Sequence, residues 1–418
     1  MKKRFLSVLF CLLTLTLCVL LASCSGNDTE TGTETDSGSG TNASAGEETL
    51  PDTGTKAPAE TETEAETGSF LSLTAPADGE TVSLLNEDMT KWLTNYKKGK
   101  LDRIFDLTER CEPVGVTLTW SCQGEPLYYH VLLSKHADMS EPELFLCVVP
   151  SLHLDRLFAG TDYWWRVDAT LEAADKPGEP GETVSTPVSH FTTLYAPRTV
   201  AIDGVSNARD IGGKITADGE YRVKQGMIYR GAQMEHITPA GEDTLLNKLG
   251  VKTEIDVRDN FSASVLHGPI HYVSAAGPFY TNALEANYRE ALLKELRVFV
   301  DSDNYPVYFH CSLGRDRTGT LAFFLECILN MSMDDIYMDY EVSFFSDLAG
   351  FIPDLAHLDA KPSSLVTNQL GGLISSLRTT YNTSDMSEAV WACLTDFGMT
   401  EEELLAIRAN MLEEIPKS

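Results

Sequence analysis

A strand, a short polar loop and an apolar helix follow one another within residues 305–331, and this order constrains the fold more than any other part of the chain. YPVYFHC at 305–311 has the composition of a buried strand, and TGTLAFFLECILNM at 318–331 has that of a buried helix. The loop between them contains Gly314 and ends just before Gly319. A strand that turns directly into a helix points backbone N–H groups at one spot and so binds anions. The segment therefore predicts an α/β domain with an anion site.

Strands and helices also alternate on either side of this segment. KTEIDVRD at 252–259 has the composition of a second buried strand, and helical periods follow strands from about Pro197 onward. Parallel strands need helical crossovers between them, so the alternation indicates helices packed on a common sheet. The fold class predicted for residues 197–418 is therefore an α/β domain with a mainly parallel sheet.

Residues 70–195 contain short runs in which polar and apolar side chains alternate. Four of these runs predict strands: VTLTW at 116–120, YYHVLLS at 128–134, LFLCVV at 144–149 and YWWRVDAT at 163–170. TKWLTNYKKGKLDRIFDL at 90–107 differs from them and is interpreted as an extra or inserted element. An all-β sandwich is predicted, with a spacer role or an interaction role toward an unknown ligand.

The first 68 residues have the pattern of an export signal and a tether. Residues 1–23 combine three basic residues, an apolar run and a small-residue end, and Leu-Ala-Ser directly before Cys24 resembles the lipobox of bacterial lipoproteins. That resemblance implies a lipid on Cys24. Residues 24–68 lack aromatic side chains and are rich in Thr, Glu, Ser and Gly, which predicts a disordered acidic tether. The expected location is the extracytoplasmic face of a bacterial membrane, with the lipid as the sole membrane contact.

The formal net charge of the chain is −30, and loss of the three basic residues of the signal would change it to −33. A surface of this charge repels nucleic acid and anionic lipid. Nucleic acid is therefore excluded as a partner.

Six cysteines remain beyond Cys24. None of them has the C-x-x-C spacing of a zinc or redox site, and a chain of this length does not need a disulfide framework. Cys327 and Cys393 lie on apolar helical faces and are interpreted as core residues. Neither a metal nor a cofactor is expected. The six are Cys111, Cys122, Cys147, Cys311, Cys327 and Cys393.

Cys311 opens the polar loop and Arg317 closes it six positions later. Loop amides, a helix N-terminus and a guanidinium all favour the thiolate over the thiol, which makes Cys311 a candidate nucleophile. The same amides would bind phosphoryl oxygens, and Arg317 would form a bidentate clamp on the transferred group. Thr318 would donate to the thiolate or cap the helix, and both roles stay open. The predicted phosphate-binding residues are Ser312, Leu313, Gly314, Arg315 and Thr318.

A leaving alkoxide or phenoxide needs a proton, and a carboxylic acid commonly supplies it. Asp316 lies within the loop, and Asp256 ends a neighbouring strand. Each has a structural alternative: Asp316 could pair with Arg315 or with an arginine outside the loop, and Asp256 could pair with a nearby arginine. Asp210 is a third, weaker candidate. The choice stays open at this point.

The loop HCSLGRDRTG at 310–319 resembles the HC-x-x-G-K-D-R-T-G loop of the bacterial tyrosine and lipid phosphatases. Four further segments match that family in order: SNARDIGG at 206–213, GMIYRGAQM at 226–234, IDVRD at 255–259 and DIYMDYEVS at 335–343. The resemblance implies a fold of the protein tyrosine phosphatase type and a cysteinyl-phosphate intermediate. It also suggests a mechanistic part for Asp316. Arg315 departs from the usual Lys, and residues 346–385 do not align.

The first domain resembles a fibronectin type III module. The features that carry this resemblance are Trp120 at the end of a strand, the aromatic strand that begins at Tyr163, and the closing HFTTL at 190–194. The aromatic side chains are interpreted as core residues, because one face of each sheet must be buried.

Several functions remain to be separated. A sulfurtransferase or an arsenate-type reductase also places a Cys in an anion loop, and an inactive phosphatase fold could act as a surface module that binds phosphorylated ligands. Intact Cys311 and Arg317 favour an active phosphatase. Its substrate is either a phosphorylated protein or a phosphoinositide or inositol phosphate, since Arg315 could contact a second phosphate.

Overall fold

The computed structural model describes residues 70–94, 113–172, 181–195, 197–259, 261–346 and 366–415. Every described residue belongs to one compact unit, Thr67–Ser418. The predicted signal, Cys24 and the tether lie outside the described residues, as does Cys111. Within the described ranges, no helix has the length and apolar character needed to span a bilayer.

Residues 70–195 form two sheets around one apolar core. One sheet has the strand order β1-β3-β6, and the other has the order β2-β9-β7-β4-β5, with β8 paired to β7. All neighbours are antiparallel except β2 and β9. The strands are β1 Leu71–Ala75, β2 Glu80–Val82, β3 Val116–Cys122, β4 Tyr128–Ser134, β5 Glu143–Cys147, β6 Ser151–Leu154, β7 Asp162–Thr170, β8 Thr183–Ser185 and β9 Ser189–Thr193.

Alternation along the strands explains this core. Leu118 and Trp120 of β3 are buried together with Trp165 and Val167 of β7, whereas the residues between them are more exposed. Successive side chains of a strand point to opposite faces, so each sheet presents one apolar face to the other. The likeness to fibronectin type III stays a prediction.

Helix α1, Glu87–Thr94, lies between β2 and β3 in the chain but packs against the second region and not into the core of the first. Leu85 and Met89 belong to the apolar core of the second region, and the Trp92 ring lies 5.0 Å from that of Phe345. The start of the predicted inserted element is therefore a helix, and the segment that carries it helps to cover the α/β region.

The second region is built on a mixed, mainly parallel sheet with the strand order β10-β11-β13-β16-β14-β15. The four strands β13, β16, β14 and β15 are mutually parallel, and β10 and β11 add an antiparallel edge. Strands β12 and β17 form a separate ribbon. The strands are β10 Arg198–Thr199, β11 Arg209–Asp210, β12 Tyr221–Val223, β13 Ile228–Gly231, β14 Thr253–Asp256, β15 His271–Ser274, β16 Val307–His310 and β17 Leu412–Glu414.

Helices cover this sheet, as the alternating sequence pattern predicts. Helix α4 is buried on all sides except at its first residue because it packs against α3, α5, α7 and α8, which explains its largely apolar sequence. Cys327 of α4 and Cys393 of α7 are core residues. The helices are α2 Pro239–Asp243, α3 Arg289–Arg297, α4 Arg317–Ile328, α5 Met333–Val342, α6 Gly371–Tyr381, α7 Met386–Phe397 and α8 Glu401–Met411.

Candidate active site

Cys311 lies at the carboxyl end of the central parallel strand. Strand β16 ends at His310, which is in register with Gly231 of β13 on one side and with Asp256 of β14 on the other. Helix α4 begins at Arg317, so residues 311–316 form a tight connection above the sheet. Cys311 itself is 4% exposed. Carboxyl ends of parallel strands are where α/β proteins place their ligand sites.

Glycines allow the loop to lie directly against the neighbouring strand. Gly314 has a positive φ of 67°, and a Cβ there would overlap the backbone of Gly231. A Cβ on Gly231 would in turn overlap the hydroxyl of Tyr308. Only glycine satisfies both the left-handed conformation and this close approach.

The backbone carbonyls of the loop are held from behind. Three side-chain or backbone groups outside the loop donate to them: Asn207 Nδ2 to Leu313 O at 2.9 Å, Arg230 to Gly314 O at 2.9 Å, and Gln233 N to Ser312 O at 3.4 Å. The first turn of α4 takes the next two carbonyls, through Gly319 N to Arg315 O and Thr320 N to Asp316 O. Every carbonyl from 312 to 316 is therefore occupied.

The amide side of the same loop is left open. Within the described part of the chain, no N–H group of residues 312–317 donates to a protein acceptor. Buried or half-buried N–H groups need a partner, and six of them in one loop can be satisfied together by the oxygens of an anion. The loop therefore has the hydrogen-bonding character of a phosphate site.

A buried ion network supports the loop from below. Asp339 of α5 accepts from Arg209 at 2.7 Å and also pairs with Arg230, the residue that holds Gly314. Both arginines are 1% exposed. Burial by itself raises the pKa of Asp339, but the two guanidinium groups outweigh it and hold the pKa at about 2. These residues come from the segments SNARDIGG, GMIYRGAQM and DIYMDYEVS, so the matched motifs meet at one place.

Asp316 lies within the site and has three donors around its carboxylate. Arg315 donates from Nε at 3.1 Å and from a terminal nitrogen at 3.0 Å, and the Tyr280 hydroxyl donates at 3.0 Å. Arg315 is nearly buried, and its guanidinium lies 5.5 Å from the Phe344 ring centroid. The side chain predicted to contact a second phosphate is thus paired with Asp316 in this structure.

Asp256 ends β14 beside His310, but Arg258 and the Tyr272 hydroxyl already donate to its two oxygens. Burial raises the pKa of Asp256, yet its hydrogen bonds from Arg258 and its electrostatic interactions with His310 and Arg258 lower it overall. Asp210 is also engaged, with Arg198 at 2.7 Å and two backbone N–H groups as donors. Both carboxylates therefore have structural donors on each of their oxygens.

Arg317 begins α4 beside two residues that the sequence patterns did not single out. One terminal nitrogen donates to Asp259 at 3.1 Å, and the guanidinium lies 4.9 Å from the Phe279 ring centroid. Asp259 ends the matched IDVRD segment, so its position next to the loop was available as a signal. Phe279, like Tyr280, follows β15 in a stretch without any motif, so no sequence signal pointed to either.

Glu295 of α3 is buried near Arg317. Its Oε1 has no hydrogen-bond partner among the described residues. Burial raises the pKa of Glu295 well above its ordinary value, and the charge of Arg317 opposes this only partly. Burial at this position therefore favours the neutral form of the Glu295 carboxyl group.

Thr318 is the second residue of α4, whereas Asp316 occupies the helix N-cap position. The buried Thr318 hydroxyl lacks a hydrogen-bond partner within the described ranges. Thr318 lies inside the helix and not at its N-cap, so the helix-cap role does not fit it. Its hydroxyl therefore stays available to donate to a group bound in the loop.

Three buried residues, Glu254, Asp256 and His310, have possible metal-ligating atoms within 4.8 Å of one another. The oxygens of this cluster already have donors: His310 Nε2 lies 2.9 Å from Glu254, Ser264 also donates to Glu254, and Arg258 donates to Asp256. A cation would have to displace these donors and sit beside the Arg258 charge. The group is better suited to fixing the end of β16 than to holding an ion.

The second region of the chain is similar to known proteins. The model of the tyrosine phosphatase family matches residues 200–413. A Cupriavidus necator protein that carries the name of a tyrosine-protein phosphatase is 29% identical over 171 residues, which cover 34% of this chain and 61% of that protein. A similarly named Dictyostelium discoideum protein is 25% identical over 114 residues, covering 27% of this chain and 69% of that one.

Two solved structures are similar to part of the chain. The catalytic core of the PP-IP phosphatase Siw14 from S. cerevisiae, in complex with citrate, is 16% identical, with coverages of 41% and 93% and a TM-score of 0.23. P. aeruginosa TpbA in complex with pTyr is 20% identical, with coverages of 38% and 95% and a TM-score of 0.24. The family match spans just over half of the 418 residues and contains the whole loop site. The chain belongs to the tyrosine phosphatase family.

Proposed function

We propose that this protein hydrolyses phosphate monoesters through a cysteinyl-phosphate intermediate on Cys311. The observation that supports this most directly is the row of N–H groups at 312–317, which have no acceptor among the described residues and lie between buried Cys311 and Arg317 in the chain. Such a row stabilises the negative charge that develops on phosphoryl oxygens, and it also favours the thiolate.

In the first step, the Cys311 thiolate attacks phosphorus, the P–S bond forms, and the bond to the ester oxygen breaks. The leaving oxygen takes a proton from an acid. In the second step, the group that served as the acid takes a proton from water as the water oxygen attacks phosphorus. The P–S bond breaks, and inorganic phosphate leaves with the thiolate restored. The Thr318 hydroxyl would stabilise that thiolate, and Arg317 would clamp the equatorial oxygens throughout.

Asp316 is the proposed acid. It is partly exposed in the loop itself, and the Tyr280 hydroxyl orients its carboxyl group. Asp256 is a poor alternative, because its side chain is 1% exposed and its pKa is lowered below the ordinary value of an aspartate. Asp316→Asn is expected to slow hydrolysis of alkyl phosphates strongly and that of p-nitrophenyl phosphate weakly, since nitrophenolate leaves without a proton.

Phosphotyrosine is the proposed substrate class, with phosphoinositides and inositol phosphates as the second candidate. Phe279 beside Arg317 and Phe261 beside Arg258 are both exposed, so aromatic faces lie next to the loop. Arg315, the side chain that would favour a second phosphate, is directed to Asp316. A panel of phosphotyrosine peptides, phosphoserine peptides, phosphoinositides and inositol polyphosphates separates the two.

The decisive test is turnover of p-nitrophenyl phosphate by the protein and by Cys311→Ser. We expect the serine variant to lose more than about a thousandfold in kcat, because the nucleophile is removed, while it still binds phosphate through the loop. An inactive phospho-ligand module would bind the phosphopeptide in both forms and hydrolyse nothing. A sulfurtransferase or an arsenate-type reductase would not hydrolyse the ester.

We also infer that the protein acts at the cell surface, as a lipoprotein whose fibronectin-like first domain holds the phosphatase away from the membrane. The signal pattern and the Leu-Ala-Ser-Cys24 order support this. Cys24→Ala should release the protein from the membrane fraction without changing its activity. Continued membrane association of that variant would rule out the lipid anchor.

A further inference from the structure

Asp259 is an exposed charged group in contact with Arg317 of the loop site. Its side chain is 61% exposed, and it accepts from a terminal nitrogen of Arg317 at 3.1 Å. The same nitrogen lies 3.5 Å from Val257 O. Asp259 and Val257 thus both accept from the same terminal nitrogen of Arg317. Nε and the other terminal nitrogen are left to donate together to two oxygens of a phosphate. The carboxylate can therefore stay on Arg317 while a substrate is bound.

Three arginines around the loop, Arg258, Arg315 and Arg317, each have an acidic partner. Arg258 is paired with Asp256 and Glu235, and Arg315 is paired with Asp316. Arg317 is shared between Asp259 and the scissile phosphate. An additional anionic group on the substrate would find no unpaired arginine among these three, whereas a cationic group would find Asp259 in reach.

We propose that Asp259 sets the charge preference of the enzyme: it favours phosphate monoesters that carry a cationic group beside the phosphate and disfavours those flanked by further anions. This inference rests on the proposed function, because it takes the loop as the phosphate site. It names a substrate class within phosphotyrosine-containing ligands, namely those with basic neighbours.

The size of the effect follows from exposure. Two charges about 6–7 Å apart at a wet protein surface change an equilibrium by roughly three- to thirtyfold, and salt reduces this. The overall charge of −30 also disfavours anionic peptides, but it acts from every side of the molecule. A control that removes one negative charge elsewhere separates the local effect from the general one.

The test measures binding of two fluorescent phosphotyrosine peptides that differ only in having Lys or Glu on both sides of the phosphotyrosine. The protein is the full chain with Cys311→Ser, alone or combined with Asp259→Asn or with Asp303→Asn. Asp303 is an exposed acid before β16, at the opposite end of that strand from Cys311. We expect the ratio of Kd values, Glu peptide over Lys peptide, to fall by about three- to tenfold with Asp259→Asn and by much less with Asp303→Asn.

High salt gives a second readout. At 1 M NaCl the parent protein should lose most of the preference that Asp259→Asn removes, while the Asp259→Asn variant should change little. An unchanged ratio in Asp259→Asn, or an equal fall in both variants, would overturn the proposal. A kcat loss in Asp259→Asn that grows with the basicity of the leaving group would overturn it too, because Asp259 would then be the acid. Since binding is measured without turnover, failure of hydrolysis by the parent enzyme would count against the proposed function alone.

Discussion

The two regions of this molecule bury different kinds of side chains. In residues 70–195, the deepest positions are held by apolar groups such as Leu118, Trp165 and Phe191. In residues 197–415, Arg209 and Arg230 are buried as deeply as those residues are. An apolar core is non-directional, whereas a buried ion network fixes geometry but depends on every partner. The region that positions the anion loop is thus the one that contains the buried charge.

Removal of the central anion should therefore have the largest effect. Asp339→Asn leaves Arg209 and Arg230 without their carboxylate and should lower the free energy of unfolding by about 3–5 kcal/mol. Release of Arg230 also frees Gly314 O, so most activity on p-nitrophenyl phosphate should be lost. Urea unfolding and steady-state kinetics measure the two quantities.

Leu118→Ala in the first core is the matched control. It should lower the free energy of unfolding by a similar amount, about 2–5 kcal/mol, because it opens a cavity in the core. The kcat and KM of the folded protein should stay unchanged. If Asp339→Asn behaves in the same way, the ion network supports only stability and the contrast between the two regions fails.

Arg317→Lys should have the next largest effect, and on catalysis alone. It keeps the charge but loses the planar fork, so kcat should fall at least about a hundredfold, equivalent to about 2.7 kcal/mol in the transition state. Stability should change little, because Arg317 pairs mainly with the exposed Asp259. A nearly silent Arg317→Lys would argue against the phosphatase mechanism itself.

A smaller effect is expected where the two regions meet. Gln225 exchanges two hydrogen bonds of 2.9 Å with the backbone of Ala159, and Arg198 donates to the carbonyls of Leu157 and Arg156. Gln225→Ala should cost about 1–3 kcal/mol in unfolding free energy, because two backbone groups lose their partner. The activity at low temperature should be retained.

Asn247→Ala serves as the control for Gln225→Ala, because Asn247 is exposed and its substitution removes a side-chain hydrogen bond at the surface. If Gln225→Ala instead unfolds the first region separately, two transitions will appear in urea when intrinsic fluorescence and activity are followed together. That result would show that residues 70–195 fold independently of the catalytic region.

Glu295→Gln should have the smallest effect, and it should depend on pH. The folded-state pKa of Glu295 is raised above the ordinary 4.5, so as pH rises above 4.5 the unfolded chain loses this proton while the folded chain keeps it. The wild type therefore loses stability across that window. Glu295→Gln should be more stable than the wild type by about 1 kcal/mol or more at pH 7.5 and equal to it near pH 4.

Unfolding of both proteins at pH 4, 5.5 and 7.5 gives the measurement. A loss of stability at pH 7.5 in Glu295→Gln would mean that Glu295 is ionised and paired with Arg317 in solution. The buried acid would then belong to the charge network and not to the apolar part of the core.

Local features of the site followed from the sequence. The strand at 307–310, the loop and the helix Arg317–Ile328 form one continuous run, and the spacing from Cys311 to Arg317 is a property of that run. Hydrophobic periodicity and glycine placement act over a few residues, so they can be read from neighbours in the chain. The mainly parallel sheet was predicted for the same reason.

Contacts between distant segments were decided by the tertiary structure. Asn207 lies 106 residues before the carbonyl to which it donates, and Arg230 lies 84 residues before its own acceptor. No local sequence pattern encodes pairings over such distances. The tertiary structure also decided which of several nearby arginines pairs with Asp256. In the same way, it decided that Met89, which precedes β3 in the chain, packs into the core of the second region. The sequence by itself thus predicted which groups would carry the chemistry, while packing of the sheet decided which residues support the loop, because long-range contacts form only when the strands take their order.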